Sequence, residues 1–252
     1  MSEHLYYLLV DLGCLSIPFI FSFHPKLNFY KKWRPFVIGT GVMLIIFVIW
    51  DMYFTSLGIW GFNDKYLTGI YIGNLPLEEI LFFICIPYAS VFTYHCFSIF
   101  TAGKSLSNLY IALTWAIVAV CLVIGILHYD KWYTASSHFI CAIFLLYHLL
   151  VLKSKYLKTF MLTFLVLLIP FILSNGVLTG ITFWEYPIFN TNPEGVTEMI
   201  VWYNNAENLS TRVFSMPMDD LSYGLTMLLL VVTIYEAVSG SFDKLNADSN
   251  LQ

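Results

Sequence analysis

Apolar runs of membrane-spanning length recur along the chain at about 5 to 23, 35 to 54, 76 to 97, 108 to 128, 134 to 152, 158 to 179 and 217 to 238, separated by short polar breaks. About 20 apolar residues at the rise of an α-helix cross a ~30 Å hydrocarbon layer, so each run is predicted to be a transmembrane helix. The fold class expected is an all-α membrane protein with seven such helices. No basic segment precedes the first run, only Ser2, Glu3 and His4, which predicts a retained helix and not a cleaved leader. The longest break, about 180 to 216, is acidic and Asn-rich and reads as a loop.

Helix two aligns with helix six and helix three with helix seven, each without gaps, across loops of different length. Asp51, Thr55 and Trp60 correspond to Asn175, Thr179 and Trp184, and Pro76, Glu78, Glu79, Tyr94 and His95 to Pro217, Asp219, Asp220, Tyr235 and Glu236. A three-helix unit alone would invert its second copy, but helix four adds a crossing that restores direction. Two parallel three-helix repeats joined by an extra helix are therefore predicted, with segments 1–103, 104–130 and 131–240 and a tail over 241–252. Lys26, Lys31, Lys32 and Arg34 follow helix one, Lys104 follows helix three, and Lys153, Lys155 and Lys158 follow helix five. Positive residues concentrate on the cytoplasmic side, so a multi-pass protein of the cell membrane is expected, its N-terminus non-cytoplasmic and its C-terminus cytoplasmic.

Composition agrees with a bilayer solvent. Hydrophobic residues make up 59% of the 252 and charged ones 11%, less than half the roughly 25% of an average soluble domain. Membrane lipid is the expected surrounding. The net charge of −4 gives no basic stripe to follow a phosphate backbone, so nucleic acid is not an expected partner. The five cysteines all lie in apolar runs without CxxC spacing, and the six histidines show no HExxH pattern; both read as packing residues, and no metal is expected.

Chemistry is concentrated in Pro76-Leu77-Glu78-Glu79 and Pro217-Met218-Asp219-Asp220. Pro and acidic residues suit the first turn of a helix, where the dipole and unpaired N–H groups favour negative charge, and one such motif alone needs no further explanation. Two at matched depth, beside Asp51 and Asn175, are different: five acids and an amide converge. Neighbouring positions are about 100° apart on a helix, so one acid of each pair faces the bundle axis. Glu79 shares an arc with Ser90 and Thr93, whereas Asp219 shares one with Tyr223 and Thr226, so both members of each pair are candidates. A carboxyl group walled by Phe82, Phe83, Trp50 and Tyr53 is expected to hold its proton and act as a donor. Tyr53, Trp60, Trp184 and Tyr223 lie close to the acids in sequence, and their ring faces would stabilise a cation, although Trp and Tyr belts also mark membrane interfaces in general.

The run Trp50-Asp51-x-Tyr53-Phe54-Thr55, then Gly58-Ile59-Trp60-Gly61-Phe62-Asn63 and Leu75-Pro76-Leu77-Glu78-Glu79, resembles the integral-membrane, flavin-independent lycopene cyclases. These are heterodimeric in some actinobacteria and fused to phytoene synthase in fungi. The likeness runs from about 35 to 97 and, more weakly, from 160 to 238, with both halves on one chain and a C-terminus too short for a fused synthase. The second half departs from the first in carrying Asp219 and Asp220 for the glutamates and Asn175 for Asp51. The resemblance implies redox-neutral ring closure of the lipid-soluble carotenoid lycopene, giving β-ionone rings (γ-carotene or β-carotene). It implies Glu78 or Glu79 acting with Asp219 or Asp220 as proton donor and acceptor, and Asp51 and Asn175 orienting them. No cofactor is expected, in keeping with the lack of a GxGxxG fingerprint.

Other classes use similar parts. A proton-coupled transporter or channel also combines intramembrane acids with repeats, but with more polar positions at mid-membrane than occur here. A retinal protein is excluded by the absence of Lys between Met216 and Val238. The glutamate-dependent intramembrane proteases carry Arg where this chain has Phe83.

Overall fold

Among the described residues, seven helices long and apolar enough to cross a membrane form a bundle: α1 (Tyr6–Phe21), α2 (Trp33–Ser56), α3 (Leu77–Phe100), α4 (Leu109–Leu127), α5 (Trp132–Leu146), α6 (Leu157–Thr179) and α7 (Asp219–Ser249). The computed structural model describes residues 3–249, with side chains through residue 240. This is the all-α membrane protein that the apolar runs predict. The lipid-facing arcs carry exposed apolar residues such as Ile20, Val37, Ile45, Ile126 and Ile169, because hydrocarbon, unlike water, imposes no cost on them. Helix α5 continues as a π-helix over Tyr147–Leu152 and ends at Lys153 in the left-handed conformation. Helix α7 runs on into the stretch expected as a tail, of which residues 250–252 lie outside the described residues.

Packing follows the internal repeat. Helix α1 packs on α3 as α5 packs on α7, while the second helix of each half crosses to the other: α2 packs on α7, and α6 on α3. The extra helix α4 packs on α5 and α6. At the end away from the acidic motifs, α3 and α7 are joined reciprocally. Tyr94 Oη donates to Glu236 Oε1 (2.8 Å), and His95 Nδ1 pairs with Tyr235 Oη (3.2 Å). Each bond thus joins one member of a matched dipeptide to the other member of its copy, the pattern of a twofold axis between the helices.

The loops above the acidic motifs repeat the relation in backbone detail. Strands β2 (Tyr71–Ile72) and β3 (Leu75–Pro76) form a hairpin into α3, and β6 (Arg212–Val213) and β7 (Met216–Pro217) form the corresponding hairpin into α7. Both contain left-handed residues at matched places, Gly69 and Gly73 in the first, Ser210 and Phe214 in the second. Both close with an equivalent bond, Leu77 N to Ile70 O and Met218 N to Thr211 O.

Between the hairpins, β1 (Trp60–Phe62) pairs antiparallel with β5 (Val201–Tyr203), placing Gly61 opposite Trp202 at the centre. Only Gly fits there, since a Cβ on Gly61 would collide with the Trp202 indole. The strand pair corrects one sequence match. Trp60 opens its strand as Val201 opens β5, so Val201, not Trp184, is its structural counterpart. The correspondence of α2 with α6 breaks after Thr55 and Thr179. Gly58 (φ +68°) turns the first half directly into β1, whereas the second half inserts a 3-10 turn, Phe183–Glu185, and the strand β4 (Phe189–Asn190) before β5. The strands within 57–76 and 180–216 are each two or three residues long, too short to show an alternating pattern in the sequence.

Candidate active site

The repeat brings its acids together. One cavity at the hairpin end of the bundle, about 50 Å³ in volume, is lined by Glu79, Asp220, Asp51 and Asn175 and by Trp60, Phe82 and Tyr223. Helices α3 and α7 contribute one acid each from the first turn. Asp51 and Asn175 reach it from the last turns of α2 and α6, because the second helices cross over between halves.

Within each acidic pair the two members do different things. Glu78 and Asp219 are fully buried but turned to the loop: Thr68 N–H donates to Glu78 Oε1 (2.7 Å) and Leu209 N–H to Asp219 Oδ2 (3.1 Å), each bond linking residues ten apart. Asp219 Oδ1 also accepts from Thr134 Oγ1 (2.7 Å). These acids hold the loops onto the helices and do not line the cavity. Glu79 and Asp220 face it, and each accepts from a tyrosine on the first helix of its own half: Tyr7 Oη to Glu79 Oε2 (2.5 Å) and Tyr133 Oη to Asp220 Oδ1 (2.6 Å). The copies therefore agree on the second acid, settling what the arcs of the two helices left open.

The halves are otherwise unlike. Asp220 accepts a second phenol, Tyr203 Oη to Oδ2 (3.2 Å), and Tyr203 lies 5.9 Å beneath the buried Arg212 guanidinium. Burial pushes the Tyr203 hydroxyl well above its ordinary range and the Asp220 charge adds to this, while Arg212 opposes it. Burial lowers Arg212 in turn, against the raising effect of Tyr203 and Asp220. A cation thus stands within reach of Asp220. On the other side, Asp51 lines the cavity together with Glu79. Asp51 Oδ1 accepts from Trp60 Nε1 and from Thr55 Oγ1 (3.5 Å), and its Oδ2 has no partner. Asp11, on α1, is fully buried with neither oxygen bonded. The matched position on α5 is Ser137, whose hydroxyl bonds back to Tyr133 O (2.8 Å).

The walls are aromatic. Trp60 meets Tyr133 (centroids 5.1 Å) and Tyr223 (6.2 Å), and Tyr133 stacks on Tyr203 (5.9 Å). Trp50 stands behind Tyr223 at 5.2 Å, and Phe83 is buried against Phe47 at 6.4 Å. Two expected rings are elsewhere: Tyr53 is 54% exposed on the lipid side of α2, and Trp184 is 62% exposed. Conversely Tyr7, Tyr133, Tyr203, Phe62 and Phe171 line the cavity and were not among the candidates. An alignment of helix one with helix five would have exposed the first two, since Tyr6-Tyr7 and Trp132-Tyr133 open both helices in the same way.

The sequence model of the family described as lycopene cyclase matches residues 4–97 and 130–238. The chain belongs to the lycopene cyclase family. The two matched segments take in α1 to α3 and α5 to α7, so the first helices that supply Tyr7 and Tyr133 lie inside the lycopene cyclase homology, and α4 lies outside it. Membership makes the protein an enzyme of carotenoid biosynthesis whose reaction is the cyclisation of lycopene. Neither a curated protein nor a solved structure matches the chain.

Proposed function

We propose that the protein is a lycopene β-cyclase, an intramolecular lyase that closes the acyclic ends of lycopene to β-ionone rings by acid–base chemistry, with Glu79 as the acid and Asp220 as the base. The observation that carries this reading is the pairing of Glu79 and Asp220 on one aromatic cavity, each with its own tyrosine donor.

The asymmetry of the halves supports the division of roles. Glu79 shares the cavity with a second carboxyl group, Asp51, whose Oδ2 has no partner, and accepts from a single phenol. Asp220 accepts a phenol on each oxygen, and one of these, Tyr203, lies under the Arg212 guanidinium, an arrangement suited to the negative charge of a base. The Glu79 proton adds to the terminal double bond of the substrate, leaving a tertiary cation. The neighbouring double bond supplies the electron pair for the new ring bond and the positive charge moves to a ring carbon. Asp220 removes a proton from the ring, and the remaining electron pair becomes the ring double bond. Substrate and product are isomers, so the reaction calls for no flavin, nicotinamide or other redox partner. Trp60, Phe82, Tyr133 and Tyr223 supply ring faces along the path of the cation.

Asp51 and Asn175 flank the acids as positioning residues. The hairpin end, which holds the acids, is proposed to face away from the cytoplasm, following the distribution of Lys and Arg. The test is expression in cells that accumulate lycopene, with pigments separated by chromatography. Cyclic carotenes with β-type spectra are expected, and lycopene persists with Glu79→Gln or Asp220→Asn. Unchanged lycopene in membranes that contain the folded wild-type protein would refute the reading and favour a transport role for the same carboxylates.

A further inference from the structure

A second cavity, about 280 Å³ in volume, lies between α1, α3 and α6 below the acid-lined one. The ring of Phe171 borders both. We propose that this groove holds the polyene chain of the carotenoid while one end of it occupies the acid-lined cavity, and that it is the lateral port through which substrate enters from the bilayer. The inference rests on the cyclase reading above and adds where the rest of the substrate lies.

Comparison of the halves argues for this groove over its twin. A corresponding and larger space, about 490 Å³, lies between α2, α5 and α7, so the lining and the inner ends, not the size, separate the two. At matched positions the first groove is lined by smaller side chains: Cys14 where the twin has Ile140, and Ser174 where the twin side has Trp50. Gly13 widens the first groove further, since a methyl group placed there meets no atom within 4 Å. The inner ends differ likewise. In the first groove Phe171 rests on Gly224, where a Cβ would come within 2.9 Å of the ring. Across the axis the residue matched to Gly224 is Phe83. Phe47 there packs between Phe83 (6.4 Å) and Tyr223 (5.1 Å), with Trp50 also against Tyr223, so a cluster of four large rings closes the twin groove towards the acids.

The chemistry of the wall fits a hydrocarbon. The hydroxyls of Thr93 and Ser174 bond back to Ala89 O (2.8 Å) and Pro170 O (2.9 Å), leaving their carbon atoms to the groove. The stretch of α6 that lines it, Phe164 to Ser174, rises roughly 15 Å at helical pitch, so an extended chain can run from the acids towards the opposite face of the membrane. Ile17, largely exposed on α1, stands at the mouth.

The test narrows each groove in turn in lycopene-accumulating cells, with wild type as the control for the cyclase reading itself. The series Gly13→Ala, Gly13→Leu and Gly13→Trp, and separately Ala89→Phe, is expected to lower cyclic product progressively, to a tenfold loss or more at Gly13→Trp. Ile143→Trp in the twin groove keeps wild-type turnover. Purified Glu79→Gln protein, which retains the groove but not the acid, is titrated with lycopene in detergent and its absorption band followed; adding Gly13→Trp is expected to weaken binding by a similar factor. Thermal unfolding of each variant separates narrowing from misfolding. Full activity and unaltered lycopene binding in folded Gly13→Trp overturns the groove while leaving the cyclase intact, as does loss of activity from Ile143→Trp alone. Failure of the wild type to cyclise overturns the reading on which it rests.

Discussion

The assignment of Glu79 as acid and Asp220 as base predicts opposite sensitivities for two tyrosines that look equivalent. In Tyr7→Phe the donor to Glu79 Oε2 is lost. Glu79 becomes negatively charged only as it gives up its proton, so the bond strengthens towards the transition state and its loss slows the chemical step. A buried hydrogen bond to a charged group contributes about 1.5–3 kcal/mol, which at about 1.4 kcal/mol per decade gives a roughly 10- to 150-fold slower reaction. In Tyr133→Phe the donor to Asp220 Oδ1 is lost, but Tyr203 still donates to Oδ2. Asp220 moves from carboxylate to neutral acid as it takes the ring proton, so removing a donor makes it more basic, and the expected change is less than about threefold in either direction. The assay is the initial rate of lycopene consumption in membranes with matched amounts of each variant, alongside its thermal unfolding. A slow Tyr133→Phe beside an undisturbed Tyr7→Phe would reverse the roles; equal losses in both would refute the idea that the halves have separate tasks.

Other consequences can be tested in the same membranes. Glu78→Gln keeps an acceptor for Thr68 N–H and is expected to retain cyclisation within about tenfold, whereas Glu79→Gln is expected to cost roughly 100- to 10,000-fold as a lost proton donor; chromatography of the pigments decides. Asp11→Ser installs the residue found at the matched place in the second half, replacing a buried carboxyl group with no partner by a hydroxyl that can bond back to its helix. About 1–3 kcal/mol of added stability is expected in thermal or denaturant unfolding, since a buried carboxyl group without a partner is removed. For orientation, Thr191→Cys in the long loop is expected to react with a membrane-impermeant maleimide in intact cells, and Lys155→Cys only after permeabilisation; the reverse pattern would place the acids on the cytoplasmic side.

The helices were legible because a span of apolar residues is a one-dimensional signal, read without knowing what packs on what. The acids were legible because Pro-x-acid-acid occurs twice. What could not be read was any feature that depends on contact between distant segments. The β1–β5 pair joins Gly61 to Trp202 through two or three residues of strand, so nothing local announces it, and its absence allowed the false match of Trp60 with Trp184. Tyr7 and Tyr133 look like ordinary interfacial aromatics until the fold sets them against Glu79 and Asp220, just as Tyr53 and Trp184 looked like cavity residues until the fold exposed them. Choosing Glu79 over Glu78 by helical arc failed on α7 because Asp219 and Asp220 lie at the very start of the helix. There the loop, through Leu209 N–H, decides which acid turns outward.

A duplicated bundle gives an acid–base enzyme its geometry directly, since two copies of one motif around an axis place two carboxyl groups on one cavity. Perfect symmetry would nevertheless be a poor catalyst, because identical surroundings give both groups the same proton affinity, and a donor and an acceptor must differ. In this protein the differences lie just outside the duplicated core. Asp11 and Asp51 add carboxyl groups to the first half, where the second half has Ser137 and Asn175. Tyr203 donates to Asp220 and lies under Arg212, where the matched residues are Phe62 and Tyr71. Each exchange makes the surroundings of the two acids unlike, with further carboxyl groups on the first half and a further donor and a cation on the second. Exchanging these outer residues between halves while leaving Glu79, Asp220 and their tyrosines in place would therefore level the two sites and slow cyclisation, although every group that touches substrate remained.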